Sequence, residues 1–443
     1  MNEVWTDLLA QSSPQRNFAN QRHLVPRILP RTFARSTSEG HLHSRMRAIL
    51  SLVCAALALT CVSTHEGEDE KDMEPVIWTG GETLDPRTGE THYNGLCTRA
   101  QLHDHWAFVA IPKLKPDVQS TCAKLDMRRK IGGETKHILT PFPPNEPTDP
   151  QSPKKLQSVV DLCIDHLNSV WVLDVGAIYP PANEDDPTPI ICHPKICAYH
   201  AADGKLRYEM NLLPYVGPMS RLQFINVDYD QKGNPFVYVS DAGTKAIIVC
   251  DIKRDICHRV ELPEDVLSEY APRDVLYTVL IRKADGHNKL YFTYRSGENV
   301  WCVNTEDLQK DKSCSKAWVV GKKEDKIIIL GTDDWSCLYF RKENSTKEVY
   351  KWNTETDFDS KNFLLVHKSH TDMTPTHAMA DYKNGVMRIC LSNLIDYLKH
   401  NTHTKDAKNS LENHQERMQT RYSPESLVLL LHSVPAFNCS KYK

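Results

Sequence analysis

Five times between residues 159 and 398 the chain repeats one short pattern. An apolar run leads into a turn rich in Asp, Asn or Gly, and an apolar-aromatic run follows, often ending in an acid or amide. The copies are 159–176, 224–252, 275–308, 326–355 and 376–398, and a weaker one starts at 105–114. Corresponding strands at Trp171, Tyr238, Tyr291, Leu338 and Arg388 are spaced by 67, 53, 47 and 50 residues. A period of this size, with three or four short strands per unit, marks a propeller blade. Alternation along "AIIVCDI" and "VWCVNTE", rich in β-branched and aromatic residues, favours strands over helices. "DQKGN" and "KADGHNK" supply the turn chemistry. Counting the weak copy, the pattern predicts an all-β fold, a six-bladed β-propeller over residues 96–400.

The flanks read differently. From Met46, "MRAILSLVCAALALTCVST" has a positive start, an apolar run and small residues suited to cleavage near Ser63, the layout of a secretory signal peptide at 46–63. The run is too short to span a bilayer as a helix, so no membrane span is expected. Residues 1–45 hold six arginines and three acids and are expected to be disordered or the product of an upstream start. An acidic segment, 64–95, leads into the repeats. A polar tail, 401–443, follows them; within it the apolar stretch 426–437 is expected to form a closing strand, since a propeller commonly joins its two ends in one blade to remove a free edge.

A formal charge of −3 offers no basic face for nucleic acid. Loss of residues 1–63, with seven arginines and three acids, takes it to −7. Twelve of the fourteen cysteines lie beyond the signal, and none stands in a C-x2-C pair, so disulfides are expected rather than zinc. Close spacing points to local bridges at Cys192/Cys197 and Cys250/Cys257, although spacing does not fix connectivity. Sequons at Asn344 and Asn438 fit a secreted glycoprotein.

"AFVAIPKLKPDV", "LCIDHLNSVWVLDVGAI", "ICHPKICAYHAADGKL" and "VYVSDAGTKAIIVCDI" resemble segments of the insect yellow / major royal jelly protein family, over about residues 100–400. The resemblance implies a secreted, disulfide-bonded six-bladed propeller. "LYFTYRSGENVWCVNTEDL" and the segment from Ile329 to Phe358 look most like the yellow-g subgroup, associated with ovarian follicle cells and the eggshell. That implies a non-catalytic role in eggshell or cuticle formation, pigmentation or hardening, with extracellular matrix or eggshell proteins as partners. Two alternatives come with the family: a dopachrome-converting enzyme of melanin synthesis, and a carrier of biogenic amines or small aromatic ligands. The chain departs from the family pattern at His193, which replaces a proline, and at Leu394, which replaces an arginine.

Candidate residues follow. Asp174 and Asp241 end second strands, so both should sit near one face; they are the candidate catalytic acids, although a strand-end carboxylate more often accepts from the backbone amides of a turn. Asn393, with Thr376, matches the region that takes part in the amine pocket of the salivary relatives. His103 and His105 form the only tight histidine group beyond the signal segment and read as a polar edge rather than a metal site. No G-x-S-x-G, P-loop or Rossmann fingerprint occurs, and no cofactor is expected.

Overall fold

The computed structural model describes most of residues 96–392, leaving out 115–117, 119, 129–138, 148–151, 177–191, 267–273, 284, 311–315 and 370–372. Outside that range it describes the strands β1 (Val76–Thr79), β2 (Thr83–Leu84), β3 (Thr91–His92) and β26 (Val428–Pro435). The first four-stranded sheet holds β4 (Arg99–His103), β5 (Trp106–Ala110), β6 (Cys122–Asp126) and β7 (Thr140–Pro141). The second holds β8 (Val159–Ile164), β9 (Ser169–Asp174), β10 (Lys195–His200) and β11 (Leu206–Asn211). The third is β12 (Leu222–Tyr229), β13 (Pro235–Asp241), β14 (Ala246–Asp251) and β15 (Ile256–Glu261). The fourth is β16 (Leu276–Ile281), β17 (Lys289–Tyr294), β18 (Asn299–Asn304) and β19 (Trp318–Lys322). An eight-stranded sheet takes in β20 (Ile327–Thr332), β21 (Cys337–Lys342), β22 (Glu348–Asn353), β23 (Phe363–Lys368), β24 (Thr374–Asp381) and β25 (Val386–Ser392), with β26 and β1 at its far edge; β2 and β3 form a separate hairpin.

Each four-stranded sheet is an antiparallel meander, and the burial of its strands falls from the second strand outward. All seven residues of β13 are buried, whereas β11 exposes five of six. A strand covered on both faces reads as a continuous apolar run, and the outermost strand loses that requirement. Hydrophobic clusters fill the gaps between successive sheets: Phe108 and Phe142 pack with Val170 and Val172, Trp171 with Val237 and Val239, and Phe236 and Tyr238 with Phe292 and Tyr294. Ile329 and Phe340 pack against Tyr291, and Tyr339 against Ile389. The last cluster returns to the beginning, with Ala100 and Val109 against Met379 and Cys390. The arrangement is an all-β propeller.

The first strands β4, β8, β12, β16, β20 and β24 surround a central channel. Their inward edges lack a backbone ladder, so amides there need other acceptors. Side chains supply them. The Ile225 amide donates to Asp161 Oδ2 (2.9 Å), that of Leu280 to Asn226 Oδ1 (3.1 Å), and that of Ala100 to His377 Nδ1 (3.2 Å). Between β20 and β24 the backbones meet directly, in the single parallel pair Gly331–Ala378. A Cβ on Gly331 would lie 2.0 Å from the Ala378 carbonyl oxygen, so only glycine permits this approach.

Two expectations change here. Cys250 and Cys257 stand opposite each other in the β14–β15 hairpin and are joined by a disulfide. Cys192 and Cys197 are free thiols. β10 is extended and carries Cys197 into the core between the first two sheets, while Cys192 stays before the strand with its Sγ 3.5 Å from the His193 carbonyl. Residues 305–308, read as the end of a strand unit, instead start a short helix, Thr305–Lys310, with Glu306 and Asp307 in its first turn and Lys310 in its last. Those charges complement the helix dipole.

Candidate functional site

Asp174 and Asp241 close the second strands of neighbouring sheets, at the end where the inner strands begin: Asp174 pairs with Val159 and Asp241 with Leu222. Both are fully buried. Asp174 accepts hydrogen bonds from the amides of Gln157 (2.9 Å), Ser158 (2.8 Å) and Gly176 (2.9 Å). The buried Lys195 ammonium stands 3.7 Å from Asp174 Oδ2 and donates to the carbonyls of Lys155 (2.8 Å) and Pro153. Asp241 accepts from the Arg221 amide (2.7 Å), the hydroxyls of Ser220 and Thr244 (2.6 Å each) and Arg259 Nη1 (3.2 Å). Each carboxylate thus ties the end of its strand to the segment leading into the inner strand of the same sheet. Among the described residues the two share no hydrogen-bond partner.

At the opposite end, acids organise the hairpin turns. Asp165 accepts from the amides of Leu167 and Ser169 and from Trp171 Nε1 (2.7 Å). Asp230 serves Lys232 and Asn234 in the same way, and Asp333 serves Trp335, Ser336 and Cys337. Five-residue turns with a leading Asp are the chemistry that the sequence pattern anticipates.

The channel presents different chemistry. Its lining combines Arg99, Asp161, Asn226, Thr278, Arg282, Asp334 and His377 with apolar residues, around about 80 Å³ of space. The Arg99 guanidinium crosses this space. Its Nε lies 3.8 Å from Asp161 Oδ1, its Nη1 donates to the Leu330 carbonyl (3.3 Å), and its Cζ sits 4.6 Å from the centre of the Phe224 ring. Burial raises the Asp161 carboxyl to about 6, against the opposing pull of Arg99 and two amide donors. Burial, helped by Arg99, holds His377 well below the ordinary imidazole range, so it is neutral, with Nδ1 the acceptor for Ala100. Further along, Arg282 pairs with Asp334 (3.0 Å) and donates to the Val227 carbonyl (2.8 Å), while Tyr382 donates to the other Asp334 oxygen.

Thr376 is half-buried and faces β25, its Oγ1 3.4 Å from the Cys390 carbonyl and 3.5 Å from Cys390 Sγ; the next residue, His377, is the one that lines the channel. Asn393 and Asn438 lie outside the described residues. Asn344 is exposed in the β21–β22 turn. His105 pairs with Asp104, and His103 ends β4. Sequence reasoning passed over Arg99, Asp161 and Arg282. A signal existed for Asp161 alone of these: "VVDLCI" places one charged residue inside an otherwise apolar inner strand, whereas Arg99 and Arg282 stand at strand ends.

The fold and channel define a β-propeller whose centre is closed by charged and polar side chains. The chain belongs to the major royal jelly protein family, whose model matches residues 157–420. It is 23% identical over 333 residues to yellow-related salivary protein M10 of Phlebotomus duboscqi, covering 69% of this chain and 82% of that one. It is 24% identical over 308 residues to yellow-related salivary protein LJM11 of Lutzomyia longipalpis, covering 63% and 74%. Among solved structures, a luciferin-regenerating enzyme aligns over 82% of this chain and 97% of its own, with 11% identity and a TM-score of 0.42. No helix among the described residues is long and apolar enough to cross a membrane.

Proposed function

We propose that the chain is a secreted propeller of six blades with a non-catalytic role in extracellular matrix, eggshell or cuticle. The blade count rests on reading the eight-stranded sheet as two blades, β20–β23 and β24–β25–β26–β1, bridged only where Gly331 lets their inner strands touch. Secretion rests on the signal-like segment at 46–63 and on the salivary relatives. The observation that carries the non-catalytic reading is the state of Asp174 and Asp241. A general acid or base must reach its substrate, and both carboxylates are buried and already engaged by backbone amides or by hydroxyl, ammonium and guanidinium donors.

The outer strands support a matrix role. Leu206 and Tyr208 on β11, Ile256 on β15, Trp318 and Val319 on β19, and Leu364 and Leu365 on β23 are all exposed. Apolar side chains on successive outer edges suit association with other extracellular chains. The yellow-g resemblance makes eggshell the favoured matrix. Localisation of the transcript tests this: signal in ovarian follicle cells or epidermis is expected, and expression confined to salivary gland or gut would overturn it.

The channel weighs against a second reading, a carrier of a biogenic amine. Arg99 already fills it with a cation, which opposes entry of a protonated amine. Calorimetric titration with serotonin and dopamine is expected to give heats at the level of dilution; saturable binding would establish the carrier reading instead.

A further inference from the structure

We propose that Cys97 and Cys390 form a disulfide that fastens the first sheet to β25, at the joint where the ring of sheets closes. Both are buried free thiols in this structure, and both belong to the cluster that fills this joint with Ala100, Val109 and Met379. Registry brings them to one place. The Ala100 amide, three residues after Cys97, donates to His377 Nδ1 at 3.2 Å, and His377 stands directly opposite Cys390 in the β24–β25 pair. The Cys390 side chain is also the first cause raising the Cys97 thiol above its ordinary value, ahead of burial. Cys122, the other thiol of the first sheet, lies on the opposite face with Phe108, Phe142 and Cys197.

The chemistry is thiol–disulfide exchange with a disulfide-class oxidant such as oxidised glutathione. The thiolate of one cysteine attacks the oxidant and releases one oxidant thiol; the second cysteine then displaces the other. The two protein thiols lose two protons and two electrons, and the oxidant gains them as two thiols. Attack needs a thiolate, and the Cys97 thiol is held protonated once buried, so the bond forms as the joint closes, before the core seals. The hairpin bridge Cys250–Cys257 closes a loop with a sequence separation of only 7. A Cys97–Cys390 bond would span nearly the whole propeller, and a longer closed loop restricts the unfolded chain more.

The test is peptide mapping of the full chain secreted from cultured cells, alkylated while denatured and unreduced. The expected result is a Cys97 peptide joined to a Cys390 peptide, two hydrogens lighter than the separate peptides, which disappears on reduction. Recovery of both cysteines alkylated, or of either joined to a third cysteine, would overturn the proposal. In folded variants, Cys97→Ala, Cys390→Ala and the double substitution should lower the melting midpoint by the same amount. A double variant that loses the sum of the two single losses would also overturn it. Where the variants fail to fold, the map of the unaltered chain decides alone.

Discussion

The carboxylates at the ends of the second strands and the carboxylate inside the channel are buried alike yet solvated differently. Asp174 has three backbone amides and a nearby ammonium; Asp241 has an amide, two hydroxyls and a guanidinium. Asp161 has two amides and a guanidinium at 3.8 Å, and burial lifts its carboxyl to about 6. A carboxylate wrapped in donors serves the fold. One short of donors remains able to take a proton near neutral pH. Of these three carboxylates, Asp161 in the channel is therefore the one placed to exchange a proton.

The comparison can be broken most severely at the strand ends. Asp174→Ala strands three buried amides and a buried lysine, and Asp241→Ala strands an amide, two hydroxyls and Arg259. Each is expected to cost about 3–5 kcal/mol in chemical denaturation. A loss below about 1 kcal/mol for both would mean that neither carboxylate holds its sheet together.

Arg99→Ala should cost less, about 2–3 kcal/mol, because Asp161 can respond to the lost partner by taking up a proton. The same substitution opens the channel, and a small cation that the unaltered chain excludes should then bind, as read by calorimetry.

A pH series sharpens the contrast with a smaller effect. The folded Asp161 carboxyl titrates near 6, above its ordinary 3.8, so between those values the folded chain binds more protons than the unfolded one. Its contribution to stability must fall as pH rises from about 4 to about 6 and level off above that. Asp161→Asn should remove this slope; an unchanged slope would assign it to another group.

Thr376→Ala is expected to have the weakest effect, under about 1 kcal/mol, since its hydroxyl makes only long contacts with Cys390. Added to Arg99→Ala, it should leave the cation binding of that variant unaltered, because Thr376 is not among the residues lining the channel.

The repeat was legible because the second strands are buried on both faces and must be apolar, as in Val237–Val239 and Leu290–Phe292. The outer strands carried less of the signal, because exposure frees their composition: "LRYEMN" in β11 alternates apolar and polar residues, yet only Met210 of the six is buried. The helix at Thr305–Lys310 was hidden by brevity, since six residues are too few to set a helical period against the preceding strand. At the site, the positions of Asp174 and Asp241 at one end followed from the repeat, but their saturation depended on where backbone amides converge. The channel pair Arg99–Asp161 joins residues from different sheets, and no local pattern announces a contact set by ring closure.

The most direct test of the central claim is dopachrome loss in the presence of the secreted chain, with Asp174→Asn and Asp241→Asn beside it. Carboxylates committed to the fold predict a rate no faster than buffer for the unaltered chain. A saturable acceleration, abolished by either substitution in a protein that remains folded, would contradict the account.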